Sequence, residues 1–240
     1  MRNRFVCLML GLLLALCPIV SVAETANPAA FLANEEQRAT LATLVDCDEG
    51  RLYRMDYTAD YKLDEMLQCD AYIARDLFDF FQQTLLTQVA AAIRPLPFGC
   101  SSFAALSDDR CRLAGRNQDC DMKMCALMIR TSPKDGYRSI GMANLGWALY
   151  DVGAPTDGAT DLSALLVSPY LVLDGMNEKG LSVMVMSVGN KPTRQNTGKQ
   201  RITTTVVIRL LLDRAANVGE AIAQLEQYDK QTTGETEAEH

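Results

Sequence analysis

The chain has 240 residues, 48% of them hydrophobic and 22% charged, and carries a formal net charge of −7 at pH 7. An acidic chain without a cluster of Lys and Arg lacks the cationic surface that phosphate backbones require, which excludes nucleic acid as a partner class. The apolar share suffices for a sizeable core in one large or two small domains, and the single histidine, His240, leaves no imidazole near any other motif.

In chain order, residues 1–23 read as a secretory signal. Arg2 and Arg4 form a basic start, Phe5 to Val20 an apolar run, and Ser21-Val22-Ala23 a small-residue cleavage site. The run falls short of the roughly 20 residues that span a bilayer comfortably, which weighs against the alternative of a retained anchor. Leu16 before Cys17 does not fit a lipoprotein cleavage site, and no later segment is apolar for long enough to span. A mature chain beginning near Glu24, secreted or periplasmic and off the membrane, is expected. Residues 24–99 then read as a pro-segment. Within it Ile73, Leu77, Phe80, Phe81, Leu85, Val89 and Ile93 recur at helical spacing, predicting an amphipathic helix from Asp70 to Ile93. Arg94-Pro95-Leu96-Pro97 stops it, and Pro95 to Gly99 reads as an exposed linker suited to chain cleavage.

Beyond Cys100 short apolar runs alternate with Gly, Asp and Asn, the pattern of strands. Ala164–Leu173 and Leu181–Val188 are predicted as a hairpin turning through Asp174-Gly175-Met176-Asn177-Glu178-Lys179-Gly180. Thr203–Ala215 is predicted helical, and Asn217 with Glu220 resembles a capping box opening a second helix to about Tyr228. Strands followed by a helix pair give an α+β domain, a sheet covered by helices, over residues 100–229. From Asp229 the chain turns polar, so a disordered tail is expected over residues 230–240.

Six cysteines survive signal removal: Cys47, Cys69, Cys100, Cys111, Cys120 and Cys125. In an exported protein some would pair, and Cys47 with Cys69 is a reasonable expectation. A metal module from Cys111, Cys120 and Cys125 has looser spacing than usual zinc ligands and no histidine nearby, so no metal or cofactor is expected.

Cys100 follows Gly99 and precedes Ser101-Ser102-Phe103. A thiol is only a few per cent ionised near neutral pH and needs a base, which imidazole cannot supply here. If the Gly99–Cys100 bond is cut, the new α-amine, with a pKa of about 7.7–8, can accept the thiol proton. That is the chemistry of an N-terminal-nucleophile hydrolase. Taken alone, Cys100 also reads as a buried core cysteine after an ordinary loop. A turn at Asp108-Asp109-Arg110 would bring Arg116 and Asp119 back beside Cys100, where a carboxylate could hold the amine and a guanidinium the thiolate. The same two residues equally suit a weak surface ion pair. Met184 and Met186, with Trp147 and Tyr150, could line an apolar acyl pocket or pack as ordinary core.

Gly99-Cys100-Ser101-Ser102-Phe103, Gly115-Arg116-Asn117-Gln118-Asp119 and Asp174-Gly175-Met176-Asn177-Glu178-Lys179-Gly180-Leu181 together resemble the choloylglycine hydrolase family of bile salt hydrolases and penicillin V acylases. The resemblance implies a four-layer αββα N-terminal-nucleophile fold and autocatalytic removal of the segment before Cys100. It further implies Cys100 as nucleophile and, through its freed amine, base. Arg116 and Asp119 would orient it, and Ser187 would supply an oxyanion-hole backbone amide, while Asn177 shapes the turn. The implied substrate is a small-molecule linear N-acyl amide. Family members run on beyond the helix pair, so the sandwich here is expected to be incomplete at its C-terminal side. The chain would then be weakly active alone and prone to associate, with a second copy or a separate C-terminal polypeptide as partner. The competing function is a non-catalytic remnant that binds an acyl compound or a partner in the same groove.

Overall fold

The computed structural model describes residues 34–70, 74–85, 98–120, 125–148, 153–158, 162–186 and 195–231. Residues 1–23, read above as a signal, most of the linker before Gly99, Tyr150, Ser187 and residues 232–240 lie outside them, as does the side chain of Trp147.

Ten strands and five α-helices are described. α1 (Glu35–Leu41) opens with Asn34, whose side chain accepts from the Gln37 N–H. β1 (Val45–Asp46) and β2 (Leu52–Tyr57) follow, then α2 (Leu63–Gln68) and α3 (Ala74–Thr84). α3 lies inside the predicted amphipathic helix and buries Leu77, Phe80 and Phe81. β3 (Phe98–Leu106) and β4 (Arg112–Cys120) form a separate hairpin. β5 (Ala126–Thr131), β6 (Ser139–Asn144), β7 (Val172–Asn177) and β8 (Ser182–Met184) return to the sheet of β1 and β2, whose strand order is β1-β2-β5-β6-β7-β8. Within it β2 and β5 are parallel and the other neighbours antiparallel. β9 (Gln200–Thr203) runs into α4 (Thr204–Arg214). After α5 (Val218–Leu225) the chain closes with β10 (Tyr228–Gln231), paired parallel to β9.

The sheet has two unlike faces, because successive side chains point to opposite sides. Tyr53, Met55 and Tyr57 of β2 and Leu127, Ile129 and Thr131 of β5 are buried, while the alternating residues of both strands are only half-buried or exposed. α4 packs on the buried face at β7. A Cβ on Gly175 would stand 2.7 Å from the Ile140 carbonyl oxygen of β6 and 2.8 Å from Leu212 Cδ1 of α4, so the motif glycine is explained by close approach of the neighbouring strand as well as of the helix. Under α4 sits a buried polar cluster. Arg209 Nη2 donates to Asp213 Oδ1 at 2.5 Å and to Ser139 Oγ at 2.7 Å, the Tyr61 hydroxyl donates to Asp213 Oδ2 at 2.6 Å, and the guanidinium lies over the Tyr61 ring. Burial pushes the Asp213 carboxyl up and the Tyr61 hydroxyl far above its usual range.

Several expectations change. Residues 164–170, predicted as strand, form a buried 3₁₀ segment (Ser163–Tyr170). The run contains Pro169, which has no N–H for a ladder, and its apolar residues are buried all round rather than on alternate sides. The hairpin itself is present but begins later, as β7–β8. Its turn uses Gly180 at φ +84°, and the Gly180 N–H donates to the Asn177 carbonyl at 2.9 Å. Within residues 24–99, β1 and β2 belong to the central sheet. Residues 229–231 of the supposed tail are strand, because Asp229 accepts from the Thr197 N–H and hydroxyl, both at 2.6 Å, and from the Lys199 N–H at 3.2 Å. Cys47 and Cys69 are exposed free thiols rather than a disulfide, one beyond an edge strand and the other ending α2. The architecture is mixed α and β. The described residues form one six-stranded sheet and two separate two-stranded ribbons.

Candidate active site

The β3–β4 hairpin forms at the predicted turn. The Ser107 N–H donates to the Cys111 carbonyl at 2.9 Å, and Arg110 takes a left-handed φ of 63°. Nine consecutive pairs then run without a bulge from Leu106–Arg112 to Phe98–Cys120. Alternation places Cys100, Ser102, Arg116 and Gln118 on one face and Gly99, Phe103, Asn117 and Asp119 on the other. The second face is braced by Phe103, whose ring covers Gly115 where any Cβ would collide with it.

Cys100 and Arg116 are brought together as expected. Arg116 Nη2 donates to Cys100 Sγ at 3.1 Å. Its Nη1 donates to Asp174 Oδ2 at 2.6 Å, and the Arg116 side chain is only 4% exposed. The guanidinium therefore joins the thiol on the hairpin to a carboxylate on β7, 58 residues from Arg116. A planar, permanently charged fork with several donors suits this double engagement, and Lys would not replace it. Asp174 belongs to a motif prominent in the sequence, yet its role was missed, because its partner lies on a different strand pair far away along the chain.

Asp119 is not beside the thiol. One position of offset from Gln118 turns it to the opposite face, where Oδ1 accepts from Asn117 Nδ2 at 2.5 Å. It stands alongside Gly99, and a Cβ on that glycine would lie 3.6 Å from Asp119 Oδ2. The carboxylate thus flanks the Gly99–Cys100 segment rather than the sulfur. Ser187 lies outside the described residues. Asn177 shapes the turn: its Oδ1 accepts from the Lys179 and Leu181 N–H groups, and its Nδ2 donates to the Leu212 and Ala215 carbonyls, pinning the turn to the end of α4.

Asp174 sits in one cross-strand row of the sheet, Arg54–Met128–Met142–Asp174–Met184. All five are partly exposed, on the face opposite the core. Met184 therefore does not pack as ordinary core, and Met186 is exposed. Three thioether side chains in one row with the carboxylate make an adaptable apolar surface. Cys125, by contrast, is fully buried, and burial pushes its thiol up to about 11. With Cys111 exposed at the hairpin turn and Cys125 in the core, these two do not form a ligand set. Among the described residues no group of His, Cys, Asp or Glu is placed to hold a metal.

The family of acyl-coenzyme A:6-aminopenicillanic acid acyl-transferase matches residues 169–234. The matched stretch holds β7, β8, β9, α4, α5 and β10, and with them Asp174 and Asn177, but not Cys100, Arg116 or Asp119. That family is related to N-terminal-nucleophile hydrolases, and the match is consistent with the choloylglycine hydrolase-like resemblance without being specific for it. No curated protein and no solved structure matches the chain. The match suggests an acyl-transferase or hydrolase.

Proposed function

We propose that the protein cleaves or transfers the acyl group of a small N-acyl amide through the thiolate of Cys100. The observation that carries this reading is the Arg116 guanidinium, 3.1 Å from Cys100 Sγ and anchored by Asp174. A guanidinium held against a sulfur fixes the position of the nucleophile and leaves it a fixed donor beside the attacking atom. In this reading the Gly99–Cys100 bond is cut first, freeing an α-amine as base, and Asp119 holds that amine from the opposite face. The thiolate attacks the acyl carbonyl, the protonated amine gives its proton to the departing nitrogen, and water or a second amine takes the acyl group from the thioester. The methionine row beside Asp174 favours an apolar acyl chain. Ser187 keeps its assignment as an oxyanion-hole amide, and export through the N-terminal signal belongs to the same proposal.

Intact masses of the purified signal-less chain and of Cys100→Ala test the first step without a substrate. Cleavage between Gly99 and Cys100 in the parent alone is expected. If the two proteins stay equally whole while Cys100→Ala matches the parent on every N-acyl amide offered, the reading fails.

A further inference from the structure

Among the described residues six buried side-chain polar atoms have no hydrogen-bond partner, and two of them, Arg116 Nε and Gln118 Nε2, belong to the hairpin face that carries Cys100. Gln118 is the direct cross-strand partner of Cys100. The Ser107–Cys111 bond closing the hairpin and the unbroken register make Cys100–Gln118 a non-hydrogen-bonded pair. In such a pair the Cα atoms approach to about 4.5 Å and the side chains lie against each other. A buried N–H without an acceptor is unfavourable in the resting protein, and such groups are uncommon outside strained or catalytic positions. Arg116 is already committed to the sulfur and to Asp174, whereas the Gln118 amide nitrogen is uncommitted. It is also neutral, so it adds a donor beside the sulfur without adding a second positive charge.

We infer that Gln118 donates from Nε2 to the oxyanion formed when Cys100 attacks an acyl carbonyl. This role rests on the reading of Cys100 as nucleophile. In the attack a sulfur lone pair forms the S–C bond, and the carbonyl π pair moves onto oxygen, which accepts from Gln118. When that pair returns, the C=O bond re-forms and the C–N bond breaks, leaving its electrons on nitrogen. The nitrogen then takes the proton that the α-amine of Cys100 had received from the thiol. A donor that meets its acceptor only in this state contributes to the transition state and not to ground-state binding.

The test uses the full chain and two reagents that share the thiol but not the oxyanion. p-Nitrophenyl acetate acylates through a tetrahedral oxyanion and releases p-nitrophenolate without needing a proton, while iodoacetamide alkylates by displacement at saturated carbon. Gln118→Met keeps the length of the side chain and removes the donor, and Gln118→Leu serves if the methionine variant does not fold. Acetylation of Cys100, followed by mass and by the first turnover of p-nitrophenolate, is expected to fall on the order of 10²–10³-fold, with Cys100 alkylation little changed. Unchanged acetylation, or equal losses in both reactions, overturns the role of Gln118. If the parent acquires no acetyl group at Cys100 although iodoacetamide labels it, the nucleophile reading fails and the donor's role falls with it.

Discussion

The central sheet and the β3–β4 hairpin stand at opposite ends of the exposure scale. Tyr53, Met55 and Leu127 are 0% exposed, whereas Phe103 and Leu106 of the hairpin are 62% and 68% exposed. The residues that would do chemistry lie on the poorly covered element, and the residues that hold the fold lie on the other. Arg116–Asp174 links the two. Stability and reactivity should therefore respond to different substitutions, which makes the division testable.

The largest effect should come from the buried pair beneath α4. Asp213→Ala leaves the Arg209 charge without its carboxylate at a fully buried position, and a loss of about 3–5 kcal/mol in urea unfolding is expected. A loss near zero would show that this region does not carry the stability assigned to it. Asp174→Asn should loosen the hairpin while sparing the sheet. Weakening one charge-assisted bond by about 1–2 kcal/mol should raise tryptic cleavage at Arg110, Arg112 and Arg116 by roughly 5–30-fold. The urea midpoint of the body should move much less, and a large fall in it would mean that hairpin and sheet unfold together.

Acid provides a third test, on the β9–β10 ribbon. Hydrogen bonds from Thr197 and the Lys199 N–H hold the Asp229 carboxyl below the usual carboxylate range. A depressed pKa of this kind contributes stability above the unfolded value, about 3.9, which is lost as pH falls through the folded value. Thermal melts of the parent should fall below about pH 4, and Asp229→Asn should flatten that acid limb. The smallest effect belongs to the hairpin surface. Leu113→Thr, at an exposed strand position, should change stability by less than about 0.5 kcal/mol.

What could be read from the sequence was local. The Asp108-Asp109-Arg110 turn set the hairpin that brings Arg116 to Cys100, and Asn217 caps the second helix as expected by accepting from the Glu220 N–H, while Glu220 Oε2 reaches one residue further back and accepts from the Ala216 N–H. Long-range pairings were not legible. Asp174 looked like a turn residue because nothing near it in the chain reveals its guanidinium partner. Asp229 looked like the start of a polar tail because its three donors lie 30 and 32 residues earlier. For Asp119, spacing from Cys100 identifies a neighbourhood, whereas strand parity decides the side, opposite Gly99. The 164–170 run shows the remaining ambiguity: residues buried on all sides carry no period, and Pro169 was the signal against a strand.

The parallel pairing of β2 with β5 bears on what a cut at Gly99–Cys100 would produce. One fragment would own β1 and β2 and the other β5 to β8, yet six residues of β2 remain laced to β5, with Tyr53, Met55 and Tyr57 enclosed between them. Such a cut would release no leader peptide. It would convert one polypeptide into a heterodimer whose melting temperature rises with protein concentration, and whose recovery from denaturant is second order in the two pieces.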